Sequence, residues 1–88
     1  MKIHYKQKFL KDLAKLPKYD KQIAEDFAFV AIHKIKSISE IKNLKKLQGH
    51  NEFYRIRFGD YRLGFSLEED KLVLRRIAHR SDFYRKFP

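Results

Sequence analysis

The sequence predicts an α+β fold: one domain over residues 1–88, in the order β-α-α-β-β-β, with an antiparallel sheet and a helical hairpin packed on one of its faces. Three observations predict it. Apolar residues recur at helical spacing between Phe9 and Ile35. They alternate with arginines on both sides of Gly59-Asp60. Leu, Val and Ile then crowd residues 71–78. At 88 residues the chain lies near the lower limit for a self-sufficient core, and its 43% hydrophobic content supplies one.

The elements follow in order. Ile3 and Tyr5 alternate with Lys2, His4 and Lys6, as in a short half-buried strand. Phe9, Leu13 and Leu16, with Leu10 alongside, set a helical period that Pro17 ends. Asp20 is the expected N-cap of a second helix, whose buried stripe is expected at Ile23, Phe27, Val30 and Ala31 and which runs to about Ile35. Ile38, Ile41 and Leu44 fit one or two helical turns or a packed loop, and Gly49-His50-Asn51 is a turn. Phe53–Phe58 and Tyr61–Leu67 are strands joined by Gly59-Asp60, with Gly first, as a type II′ turn requires. Glu68-Glu69-Asp70 turns the chain into a third strand, Lys71–Ala78. The tail from Ser81 to Pro88 is a last helical turn carrying Phe83, Tyr84 and Phe87.

Composition narrows the function. No cysteine is present, so neither disulfides nor a thiolate zinc site contribute. His4, His33, His50 and His79 lack ligand spacing, and no metal or other cofactor is expected. No apolar run approaches the roughly 20 residues that cross a membrane, and the first residues are too polar for a signal peptide. The expected location is therefore the cytoplasm, with no membrane partner. The net charge of +10, from 21 Lys+Arg against 11 Asp+Glu, makes a field that attracts polyanions. Residues 1–47 carry 12 basic side chains, all lysine, whereas seven of the nine in residues 48–88 are arginine. Arginine's planar fork matches phosphate oxygens, so the chemistry is expected in the second half.

The hairpin gives that expectation a geometry. A two-residue turn places Phe58 opposite Tyr61 and Arg57 opposite Arg62. Tyr54, Ile56, Phe58, Tyr61, Leu63, Phe65 and Leu67 then share an apolar face, and Arg55, Arg57 and Arg62 the other. Like charges placed opposite each other cost a sheet some tenths of a kcal/mol. A cationic face held at that cost is a candidate phosphate-binding surface, against the alternative of a solvated face. Gly64, opposite Arg55, leaves this face open to a ligand or marks a bulge. Arg75 and Arg76 point to opposite faces, and which of them joins the group stays open. His79 at the strand end is a candidate for proton transfer, or an ordinary capping histidine. Arg80 follows it, and Tyr84 is a candidate for stacking on a base or a core aromatic.

Leu47-Gln48-Gly49, the run from Tyr54-Arg55-Ile56-Arg57-Phe58 through Gly59-Asp60-Tyr61-Arg62-Leu63, and His79-Arg80-Ser81-Asp82-Phe83-Tyr84 resemble the RelE/ParE superfamily of toxins. The early Phe-Leu-Lys-Asp-Leu-Ala-Lys-Leu-Pro segment, residues 9–17, extends the likeness over nearly the whole chain. The resemblance implies a microbial ribonuclease-like fold and the toxin half of a type II toxin–antitoxin pair, a RelE-like mRNA interferase cutting mRNA on the ribosome. It implies a RelB-type antitoxin as partner in a hetero-oligomer. It places Arg55 and Arg57 at positions where RelE has lysines, Arg62 at a catalytic basic position and Tyr84 at the C-terminal aromatic. RelE's arginine before the last helix falls at Ala78 or His79. Arg57 stays protonated, so it stabilises charge and is a poor base. The expected catalytic set is Arg55, Arg57, Arg62, His79 (general acid or base) and Tyr84, with Arg75, Arg76 and Arg80 binding RNA phosphate. Two other functions share the fold: ParE-like inhibition of DNA gyrase, and RNA binding without cleavage.

Overall fold

The computed structural model describes all 88 residues. Five strands form one sheet: β1 (Lys2–Tyr5), β2 (Leu44–Lys46), β3 (Phe53–Phe58), β4 (Tyr61–Glu68) and β5 (Lys71–His79). Three helices, α1 (Gln7–Ala14), α2 (Lys18–Phe29) and α3 (Arg80–Lys86), complete the fold with two 3₁₀ turns at Ala31–Lys34 and Ile38–Glu40. The sheet order is β1-β5-β4-β3-β2. β2 to β5 pair antiparallel and β1 pairs parallel with β5, so the expected antiparallel sheet carries one parallel edge. No helix is long and apolar enough to cross a membrane.

The hairpin register is the expected one: Phe58 faces Tyr61, Arg57 faces Arg62 and Arg55 faces Gly64. Gly59 takes a φ of 56° at the first turn position, where a Cβ is strained. The α1–α2 hairpin covers the apolar face. Phe9 and Leu13 from α1 and Ala24 and Ala28 from α2 pack with Ile56, Leu63, Phe65, Leu72, Leu74 and Ile77.

The stripe on α2 lies one residue beyond its expected position. Ala24, Ala28 and the following Ile32 are buried, while Ile23, Val30 and Ala31 are exposed. Two alanines let the α2 backbone approach the sheet closely, and larger side chains flank the contact. The helix also begins earlier than Asp20. Pro17 is its N-cap, and the Pro17 carbonyl accepts the Lys21 N–H at 2.8 Å. Asp20 sits in the first turn, where a carboxylate complements the helix dipole.

Where one or two helical turns or a packed loop are expected around residues 38–44, the structure has a single 3₁₀ turn followed by β2, a strand not expected there. Ser37 and Glu40 close a capping box around the turn, and Asn43, with a φ of 62°, breaks any continuing helix. Three residues are too few for alternation to announce a strand.

α3 lies on the opposite face of the sheet. Phe83 and Phe87 are buried there with Ala78, and Leu47 and Phe53 pack against them. The face left open by Gly64 is therefore filled from within. A Cβ on Gly64 would lie 2.6 Å from the Phe87 ring, so the glycine serves this internal contact and not a ligand. A bulge follows it: Gly64 faces Arg76 and Phe65 faces Leu74, which leaves Arg75 as the extra residue on β5.

Candidate active site

Alternation along β3 and β4 puts Arg55, Arg57 and Arg62 on the face that α3 half covers. Ala78 faces Arg62 across the next pair, so α3, entered immediately after β5, delivers its side chains beside the arginines. Arg62 donates from Nη1 to the carbonyls of Gly59, at 2.8 Å, and Tyr61, at 3.1 Å. Arg55 donates from Nη1 to the Asn43 carbonyl at 3.1 Å, while its buried Nε has no partner. The Asn43 carbonyl also receives the Arg57 N–H at 3.2 Å. These carbonyls orient guanidinium groups without neutralising them. Arg55, Arg57 and Arg62 make no ion pair.

Arg80 joins the group from α3. Its backbone N–H donates to the Asp60 carbonyl at 2.7 Å, and its exposed guanidinium lies 3.8 Å from the Asp60 carboxylate, a loose pair in solvent. Tyr84, one turn on, is 58% exposed with its ring edge-on to Phe83. Its ring is thus largely exposed while it keeps contact with the buried Phe83. Burial lowers the Arg62 guanidinium from its ordinary value, and the charges of Arg55, Arg57 and Arg80 add to this, opposed by Tyr84. Cations crowded until one destabilises the next make a surface on which an anion relieves repulsion as well as gaining hydrogen bonds.

Three expected members stand elsewhere. His79 faces Tyr61 in the β4–β5 register, on the helical-hairpin side of the sheet, and packs edge-on against the Tyr61 ring at 5.5 Å. Its Nδ1 accepts the Ser81 N–H at 3.2 Å, which makes it the N-cap of α3. Arg76 is paired with Asp12, donating from Nε at 2.8 Å and Nη2 at 3.1 Å, and the Ile77 N–H adds a third bond to that carboxylate at 3.2 Å. Arg75 pairs with Glu68 at 3.0 Å, donates to the Ser66 hydroxyl at 3.2 Å and lies over the Phe53 ring. Neither arginine belongs to the group around Arg62.

Two residues that sequence reasoning passed over also shape the site. Asn43 supplies the carbonyl that aims Arg55, and Asp60 supplies the one that fastens the start of α3 to the hairpin turn. An asparagine just before a strand was the available signal for the first, since Asn tolerates positive φ.

A family model described as "ParE toxin of type II toxin-antitoxin system, parDE" matches residues 3–84. Toxin RelE3 of Methanocaldococcus jannaschii is 34% identical over the full length of both chains. The toxin fold is similar to a chain of the RelB–RelE antitoxin–toxin complex from Methanococcus jannaschii, at a TM-score of 0.82 and 28% identity, covering 97% of this chain and 99% of that one. The isolated Escherichia coli RelE toxin shares the fold at a TM-score of 0.66 and 17% identity, over 96% of this chain and 90% of that one. The chain belongs to the RelE/ParE superfamily and is a toxin of a type II toxin–antitoxin system.

Proposed function

We propose that this toxin is an endoribonuclease that cleaves mRNA on the ribosome, in the cytoplasm, through the face built by Arg55, Arg57, Arg62, Arg80 and Tyr84. The observation that carries the reading is the convergence of Arg55, Arg57 and Arg80 on Arg62, four cations of which three have no carboxylate partner, beside an exposed tyrosine. A 2′-hydroxyl oxygen attacks the adjacent phosphorus, the 5′-oxygen leaves, and the hydroxyl proton ends on the departing oxygen. The products are a 2′,3′-cyclic phosphate and a free 5′-hydroxyl. The arginines stabilise the charge that builds on the phosphorane, the electrostatic contribution that usually dominates such steps. Tyr84 stacks on or orients a base. His79 acts through the α3 cap, which sets the position of Arg80 and Tyr84. If His79→Ala abolishes cleavage while α3 keeps its protection from hydrogen exchange, His79 is a proton-transfer residue instead.

The partner we propose is a RelB-type antitoxin in a hetero-oligomer. Structural relatives were solved as RelB–RelE complexes, and a net charge of +10 suits an acidic segment that masks the arginine face. The ParE description of the family model favours a second reading, inhibition of DNA gyrase. The two separate in one pair of assays. Under the first reading the purified toxin leaves 2′,3′-cyclic ends on ribosome-bound mRNA and does not affect supercoiling. Intact mRNA with blocked supercoiling establishes the second.

A further inference from the structure

A second cationic site lies away from the arginine face. A cleft of about 380 Å³ opens between the start of α1 and the end of α3, lined by Lys6, Gln7, Lys8, Arg75, Arg76, Lys86 and Phe87. Five of these seven residues are cationic. The β5 bulge brings Arg75 and Arg76 here together, where regular alternation sends neighbouring side chains to opposite faces.

The two arginines are fixed before any ligand arrives. Glu68 holds Arg75 through Nη1, and Asp12 holds Arg76 through Nε and Nη2, so Nη1 of Arg76 and Nε and Nη2 of Arg75 remain as donors. Their charges are balanced by those two carboxylates. Lys6, Lys8 and Lys86 are exposed, make no ion pair and leave the cleft with an excess of three positive charges. The first turn of α1 adds no acidic residue. Oriented donors surrounded by free lysines suit a phosphodiester, which takes hydrogen bonds from the former and releases counterions from the latter. Gly64, with the Phe87 ring over it, lies between Arg55 and Arg76 across the sheet and divides this site from the arginine group.

We infer that the α1–α3 cleft is a second phosphate site, one that grips the backbone of a structured RNA while the arginine face engages the strand to be cut. The inference rests on the proposed action on RNA. Two sites on one small domain bind one RNA assembly far more tightly than either alone, because the second contact is intramolecular.

The test uses Arg62→Ala as the background, so that RNA is bound without being cut. Affinity for a short RNA hairpin is measured over a range of salt concentrations for this protein, for Lys6→Gln/Lys8→Gln/Lys86→Gln added to it, and for an equally charged control, Lys18→Gln/Lys34→Gln/Lys36→Gln. Thermal unfolding confirms that each variant is folded. The cleft variant is expected to bind at least tenfold more weakly, with the slope of log affinity against log salt reduced by about two, from three lost phosphate contacts at roughly 0.7 to 0.9 each. The control should lose less than half of that slope. Equal losses in the two triple variants overturn the site and leave only general attraction. Loss of binding to polyglutamate with RNA binding unchanged also overturns it and makes the cleft a protein-docking surface. If the background protein binds no RNA, the RNA reading fails together with this site. If the cleft alone is wrong, RNA binding persists in the triple variant.

Discussion

Gly64 joins the two layers of the molecule at a single Cα. The Phe87 ring occupies the space a Cβ would take, and Phe87 is 2% exposed, so the ring has nowhere to retreat. Gly64→Ala should cost about 1–3 kcal/mol by overpacking. That lowers the melting temperature by roughly 4–8 °C per kcal/mol in a domain of this size. Cleavage should fall as well, because α3 carries Tyr84 and Arg80. An unchanged melting temperature would show that Phe87 does not hold α3 down. Tyr5 makes a separate contribution. Its hydroxyl donates to the Ala28 carbonyl at 2.6 Å, near the end of α2, and burial raises the phenol above its ordinary value of 10. The unfolded chain releases this proton first, so the stability is present below pH 10 and is lost as pH rises through the raised value. Tyr5→Phe should cost about 1 kcal/mol at neutral pH and flatten the fall in stability above pH 10, read by denaturant titration at each pH. At this scale residue type was legible and side-chain direction only partly so. Arg55, Arg57 and Arg62 share a face because a two-residue turn fixes parity on both strands. The direction of His79 depends on how β5 pairs after its bulge, and no local pattern announces that.

Among the elements, the contact of α1 with β5 has the strongest single polar link. The Asp12 and Arg76 side chains are 14% and 19% exposed, and the same carboxylate satisfies the Ile77 N–H. Removing one partner leaves the other half-buried and unpaired. Arg76→Ala should therefore destabilise the fold by about 3 kcal/mol, whereas Arg85→Ala, at an exposed pair with Asp82, should change stability by less than about 0.5 kcal/mol. Urea unfolding of the two variants side by side checks the contrast. The long elements were readable because each carries enough residues to fix a period. β2, with three residues, does not. The buried stripe of α2 was misplaced by one position because Ala24 and Ala28 are the residues that let the helix come close, and alanine carries little hydrophobic signal beside Ile23 and Val30. The parallel pairing of β1 with β5 joins residues about 70 apart in the chain, so nothing in either segment encodes it alone.

The whole molecule is a sheet with its core-forming helices on one side and a cationic face, half covered by α3, on the other. The charge imbalance was the first functional signal in the sequence, and the structure divides it into an arginine face, a cleft at the β5 bulge and lysine-rich helices. That division also sets the electrostatic behaviour. Association with an acidic antitoxin should slow steeply with added salt, and Arg57→Glu, at an exposed and unpaired position, should slow it further. Stopped-flow mixing at several ionic strengths measures both. The central claim is that the arginine face cuts mRNA, and a translation reaction programmed with a defined message tests it most directly. New mRNA ends, mapped by primer extension, are compared for the wild type and Arg62→Ala. Cleavage at ribosome-occupied codons is expected with the wild type, and a loss of about 10²–10³-fold with Arg62→Ala, the size expected when one transition-state donor is removed. Intact message with the wild-type protein, or equal cleavage by both, would contradict that claim.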